Sequence, residues 1–215
     1  MELLKLPGVS YCEFPKNSLI ITQGQRIDFV YYLVNGTCYR KAVTEKGDEI
    51  IYGIKASHSD LVQSLMGMLP LYSDGYSMHN FHAKTKCCCY RIPKEVFLEY
   101  VSDKPELLTQ LLRLAMKELR NLAGIFQARQ EGKVANQLCQ LLLANMQKSP
   151  QGLVISKGYS NTEIGQFLGV HKVTVARIKR VLKEEGIIDR SDDGIVILAA
   201  DRLAAYAKGE KNIDY

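Results

Sequence analysis

The chain lacks the marks of a membrane protein, a secreted protein or a metal-clip domain. Its 215 residues contain no run of about 18 apolar residues, so no membrane span is expected. The opening stretch, MELLKLPGVSYCEFPK, has no basic segment leading into a long apolar one, and no secretory signal is expected. A cytoplasmic location with reduced thiols is the resulting expectation. Six cysteines occur, Cys12, Cys38, Cys87, Cys88, Cys89 and Cys139, and no pair has the C-x-x-C spacing of a zinc site. Nucleophile elbows, P-loops and dinucleotide fingerprints are absent, and we expect no enzyme. Neither low-complexity segments nor internal repeats interrupt the chain.

What is there suffices for one large domain or two small ones. The apolar fraction of 47% supports ordinary globular cores, and the net charge of +5 leans basic. Up to about residue 100, "NSLIITQGQ", "FVYYLVNG", "TCYRKAVTEKGDEIIYGI" and "HAKTKCCCYRI" are rich in β-branched and aromatic residues. Asn35-Gly36, Lys46-Gly47-Asp48 and Ser73-Asp74-Gly75 punctuate them as turns. Short antiparallel strands of this kind predict a β jelly roll or small barrel over 1–103. A long helix is predicted over 104–130, with Pro105 suited to its first turn. Leu108, Leu112, Ala115, Leu119, Leu122 and Phe126 alternate spacings of four and three, the seam of a two-stranded coiled coil. Leu107, Leu111 and Leu114 widen the stripe, so the helix can lie on its own barrel and also on a twin helix. A second helix is expected over about Gly132 to Met146, ended by Ser149-Pro150, with "LVIS" a short strand. "IIDRSDDGIVIL" reads as a hairpin turning at Asp193-Gly194, and a short Ala-rich helix follows. We place the start of the last domain, 131–215, at a hinge near Arg129 to Gly132.

Within that domain, "SNTEIGQFLGVHKVTVARIKR" has the spacing of two short helices around a tight turn. Ser160 and Glu163 form a capping box. Ile164 and Leu168 supply one buried face, and Val170, Val175, Ile178 and Leu182 the other. Gly165 is small where the second helix crosses, and Gly169 sits at the turn. These positions together make a helix-turn-helix, and the hairpin after it a wing. Lys172, Arg177, Lys179, Arg180 and Lys183 lie in its second helix, and no acid occurs between His171 and Lys183. One sign of charge on a helix face points to a polyanion. Lys172, Val173 and Arg177 lead into a major groove, where Val173 suits a thymine methyl and Arg177 a guanine or a phosphate. Thr174, near the helix N-terminus, is expected to take a phosphate oxygen, and Lys179 and Arg180 complete the candidate DNA contacts. An A/T-leaning palindrome with half-sites ~34 Å apart is expected for a homodimer on double-stranded DNA.

The order of these parts resembles the Crp/Fnr family of bacterial transcription regulators. "EIGQFLGVHKVTVARIKRVLKEEGII" is similar to the family's recognition segment, and "FVYYLVNGT" and "AKTKCCCYRIPKEVF" to its barrel strands and the helix after them. "GVHKVTVAR" looks closest to the branch that senses halogenated aromatics in halorespiration. The resemblance implies an α+β fold: an N-terminal jelly roll of the cyclic-nucleotide-binding kind, a dimerisation helix and a C-terminal winged helix-turn-helix. It also implies RNA polymerase as a partner. Cyclic-nucleotide binders in this family carry Gly-Glu and, about ten residues on, Arg-Ser or Arg-Thr. From Ala56 to Ala83 this chain has no Arg, Lys or Glu, and the long helix offers Glu118-Leu119 where Thr-Ser is expected. A buried phosphate there would lack a cationic partner, which argues against cyclic AMP. The iron–sulfur branch clusters cysteines at its N-terminus, where this chain has Cys12 alone.

Tyr76, Ser77 and Met78, with Met116 and Arg120 of the long helix, are the candidate contacts of a small, non-nucleotide effector, apolar or aromatic. The alternative sensor is a redox one. Cys87, Cys88 and Cys89 are candidate switching thiols if Lys84, Lys86 or Arg91 depresses their pKa, and small core hydrophobes otherwise. His79 and His82 leave haem or a metal open, although an i, i+3 pair on a strand points to opposite faces. No resident cofactor is expected. A third alternative is a constitutively competent regulator with a degenerate barrel.

Overall fold

The structure, a computed structural model, describes residues 2–45, 47, 49–58, 60–149, 152–156, 160–191 and 194–215. Two compact units divide the chain, Met1–Arg120 and Asn121–Tyr215.

In the first unit the strands are β1 (Ser10–Phe14), β2 (Leu19–Ile21), β3 (Phe29–Asn35), β4 (Thr37–Val43) and β5 (Glu49–Ala56). After a one-turn helix, α1 (Leu61–Ser64), come β6 (Leu65–Met66), β7 (Asn80–Ala83) and β8 (Cys87–Pro93). They form two antiparallel four-stranded sheets, ordered β1-β8-β3-β6 and β2-β7-β4-β5. Alternation along each strand sends one set of side chains between the sheets. Ile21, Leu33, Cys38, Met66, Phe81, Cys87 and Cys89 form that core. Val30 and Ile92 belong to a second core, shared with Phe97 and Val101 of α2 (Lys94–Ser102) and Leu107 and Leu111 of α3 (Pro105–Gln130). The α+β jelly-roll architecture expected from the sequence is present.

Helix α3 is continuous, yet the division between the units falls inside it, at Arg120, rather than at its end. Packing explains this. Leu107, Leu111 and Leu114 join the barrel's second core, whereas further along Gln137 Nε2 donates to Gly124 O at 3.4 Å in the other unit.

The second unit contains α4 (Val134–Ala144), β9 (Gln147–Ser149), β10 (Gly152–Ser156), α5 (Asn161–Leu168), α6 (Lys172–Glu184), β11 (Ile188–Ser191), β12 (Gly194–Ile197) and α7 (Ala200–Ala207). The helix expected to run to Met146 stops at Ala144, because Gln147–Ser149 joins the sheet and pairs with β10. The wing strands β11 and β12 pair as a hairpin. Lys46, Asp48, Pro150 and Asp193, named above as turn or stop residues, lie outside the described residues. Ile164, Leu168, Val175, Ile178 and Leu182 are buried with Leu138, Leu142, Ile187 and Leu203 in one core. Each large side chain buried there contributes about 1.5–3 kcal/mol.

Three local devices shape α5 and its turn into α6. Ser160 Oγ accepts from Glu163 N at 3.2 Å while Ser160 N donates to Glu163 Oε2 at 2.7 Å, closing both ends of the capping box. Gly169 caps α5 with φ 66°, a left-handed conformation that glycine adopts without strain. A Cβ on Gly165 would stand 2.6 Å from Val170 O, so the helices cross too closely for any side chain.

Ser160→Ala is therefore expected to cost about 1 kcal/mol in urea unfolding. Gly165→Ala should cost more, about 1–3 kcal/mol, because backbone has to move. Equal stability of wild type and Gly165→Ala would show that the crossing is looser than described.

Candidate functional site

The first element of interest is the outer face of α6. Its N-cap is His171, whose Nδ1 accepts from Val173 N at 3.4 Å. Val175, Ile178 and Leu182 are fully buried, which turns Lys172, Val173, Arg177 and Arg180 outward. Val173 is 46% exposed, an apolar side chain in the first turn of a basic helix. Thr174 is half-buried beside it. Arg180 Nε lies 3.7 Å from Glu184, an exposed pair that contributes little and exchanges readily. Lys183 Nζ sits 2.7 Å from Asp189 of the wing.

Lys179 departs from its expected place among the DNA contacts. It turns back toward α5, where Nζ donates to Asn161 Oδ1 at 2.8 Å, and burial lowers its pKa to about 8. The cause is helical phase: Lys179 follows Ile178 and lies over α5, away from the stripe of Val173, Arg177 and Arg180.

A second apolar surface runs along α3. Leu107 and Leu111 are buried on the barrel. Leu108, Leu112, Leu119, Leu122 and Phe126 are exposed, the last at 65%, and Ala115 is half-exposed between them. The two faces that the heptad spacing distinguishes are thus physically separate.

Of the candidate effector contacts, Ser77 alone is buried. Ser77 is buried and used structurally: its Oγ donates to His79 O at 2.7 Å. Tyr76, Met78 and Met116 are exposed, as is Arg120. No hydrogen bond or ion pair among the described residues links the Tyr76–Met78 segment to Met116 or Arg120. The α3 residue that reaches the barrel strands is Glu118. Its Oε2 accepts from Arg40 Nη1 at 2.5 Å, with both side chains largely shielded from solvent.

Register places Arg40. It lies two residues from buried Cys38 on β4, hence on the same face, and directly across from Gly53 of β5. With no side chain opposite, the guanidinium lies over Gly53, and Nη2 donates to Tyr52 O at 3.4 Å. A bulge between Arg40 and Lys41 leaves Tyr52 unpaired in the ladder. The Tyr52 ring meets His79 edge-on, centroids 4.4 Å apart. Lys55 stands across from Cys38 on the same face. Burial is the main cause that lowers its pKa to about 8, with Glu118 pulling the other way. Burial, then the Arg40 charge, lowers His79 to about 4, so its imidazole is neutral near pH 7.

Sequence reasoning missed the Arg40–Glu118 ion pair and the Tyr52–His79 ring contact. One signal was available: "CYR" puts an arginine at i+2 from a cysteine inside a strand, on whichever face that cysteine takes. The bulge that completes the geometry has no such signature.

The cysteine triplet divides as its alternation requires. Cys87 and Cys89 are buried in the core, and burial pushes both thiols up, which opposes the thiolate that redox switching needs. Cys88, on the opposite face, has Sγ 3.8 Å from Glu13 Oε1. The cations expected to activate a thiol are engaged elsewhere. Lys86 pairs with Glu13 at 2.7 Å, while Lys84 lies over the Tyr39 ring and Arg91 over the Phe29 ring. His82 lies on β7, paired with Leu19 and Tyr39. Among the described residues no three His, Cys, Asp or Glu side chains gather to hold a metal ion. Among them also, no helix is long and apolar enough to cross a membrane.

Two family descriptions match the chain, a cyclic nucleotide-binding domain over residues 11–104 and a Crp-like helix-turn-helix domain over residues 132–206. Among curated relatives, the cAMP-activated global transcriptional regulator CRP of Salmonella typhimurium is 26% identical over 204 residues, covering 88% of this chain and 91% of its own. Two solved structures share the fold. A mutant of CooA from Carboxydothermus hydrogenoformans aligns with a TM-score of 0.77 at 15% identity, covering 96% of this chain and 94% of its own. FixK2 from Bradyrhizobium japonicum aligns at 0.72 and 18% identity, covering 92% and 96%. With a β-rich barrel, a long helix and a winged helix-turn-helix in this order, the chain belongs to the Crp/Fnr family of transcription regulators.

Proposed function

We propose that the protein acts as a homodimer on a palindromic, A/T-leaning operator, under control of a small non-nucleotide effector held by the barrel. The observation that carries this reading is the outer face of α6. Lys172, Arg177 and Arg180 surround exposed Val173 in a helix that offers no acid before Glu184. An apolar side chain gains nothing from water there, but it can take a thymine methyl in a major groove. Arg177, one turn further on, would then reach a guanine edge or a phosphate. Dimerisation is supported by the exposed stripe of Leu108, Leu112, Leu119, Leu122 and Phe126, which a second copy of the same helix would cover. A non-nucleotide effector is supported by the absence of any cation from 56 to 83 and by Ser77, whose hydroxyl is already committed to His79.

Selection from random duplexes tests the whole reading. An inverted repeat with half-sites one helical turn apart is expected, and recovery of no repeat would overturn the palindromic assignment. Arg177→Ala should cost about 1–3 kcal/mol on the selected site and relax its preference. Uniform weakening on every sequence would instead make Arg177 a phosphate clamp. Lys172→Ala should lower the salt slope of binding by about one, and Lys179→Ala should leave it unchanged. For the dimer, Leu112→Glu combined with Leu119→Glu should give monomers in sedimentation analysis. A surviving dimer would remove the coiled-coil assignment.

A further inference from the structure

On the reading that the outer face of α6 meets base edges, its side chains have to be held to within about 0.5 Å. The N-terminal end of α6 is set by the His171 cap and the turn at Gly169. The C-terminal end is set from outside the helix-turn-helix, by α7. Glu185 is the C-cap of α6. Arg202 of α7 donates from Nη1 to the Glu185 carbonyl at 2.9 Å and from Nη2 to Glu185 Oε2 at 3.2 Å. The Tyr206 hydroxyl donates to the same Oε2 at 2.8 Å. Arg202 and Tyr206 are four residues apart, so one face of α7 carries both. A planar guanidinium suits this task, because its fork reaches the main chain and the side chain of one residue together. The other end of α7 is held by α4. Buried Asn136 donates from Nδ2 to Tyr206 O at 2.6 Å, and Gln140 Nε2 donates to Ala207 O at 2.8 Å. Both carbonyls lie in the last turn of α7, beyond the reach of its regular hydrogen bonds.

We propose that α7 is a strut between α4 and α6, and that Arg202 is a positioning residue for sequence reading, acting through Glu185 without touching DNA. Val175, Ile178 and Leu182 are fully buried, so the middle of α6 is the pivot. Val173 and Glu185 lie on either side of it, about 18 Å apart at 1.5 Å per residue. A shift of about 1 Å at the C-cap moves Val173 by a like amount in the opposite sense, which exceeds the tolerance of a base contact. Contacts to phosphate made by long basic side chains follow such a shift without loss, and they carry no sequence information. Releasing Glu185 therefore removes discrimination between sequences and leaves general DNA binding in place.

The experiment measures binding of the full chain to the duplex that selection yields and to an unrelated duplex of equal length. The ratio of the two affinities is the readout. Arg202→Gln and Glu185→Ala change the charge in opposite directions. A purely electrostatic role would weaken binding to every sequence in the first and strengthen it in the second. Positioning instead lowers the ratio in both by about tenfold, the loss of one base contact. The double variant should be no worse than either single one, since both remove the same contact. Loss of folded protein lowers both affinities by one factor and leaves the ratio alone, and thermal melting monitors it. Tyr206→Phe removes one hydroxyl and keeps the buried ring. It should lower the ratio in the same direction, and it decides the matter should Arg202→Gln fail to fold. An unchanged ratio in the folded variants would overturn the proposal and leave the reading of α6 intact. A wild type that prefers no duplex would overturn that reading and the proposal with it.

Discussion

Along α3, apolar side chains occur on more of the circumference than the barrel can cover. Leu107 and Leu111 are buried on it, while Leu112 and Leu119 stand 59% exposed a few residues away. A helix in water does not hold such a stripe open without a partner, since each large apolar side chain gains about 1.5–3 kcal/mol on burial. The proposed dimer is the consequence that the other functional features depend on. Two copies of α6 presented together read a palindrome. One copy alone would make a single short groove contact, held mainly by charge.

What could be read from the sequence follows from how local each device is. The capping box of Ser160 and Glu163, the cap at Gly169 and the close approach at Gly165 all lie within ten residues. The sequence "SNTEIGQFLG" therefore specifies them without any knowledge of the rest of the fold. Heptad spacing in α3 is equally local, and it separated the barrel face from the open one. The charged cluster on the barrel strands is different. Arg40, Tyr52, His79 and Glu118 come from four separate segments, and their meeting depends on the β4–β5 register and on a one-residue bulge. A one-residue slip in either strand would turn the same side chains to the other face.

Lys179 shows the same limit at smaller scale. Counting positive residues along "HKVTVARIKRVLK" gives a uniformly basic helix, and composition alone cannot tell which charge faces DNA. Three-dimensional phase can: burial of Ile178 drags Lys179 toward α5, and Asn161 takes its ammonium. The cysteine triplet was more tractable because strand alternation is strict. Cys87 and Cys89 share the buried face, and Cys88 takes the other.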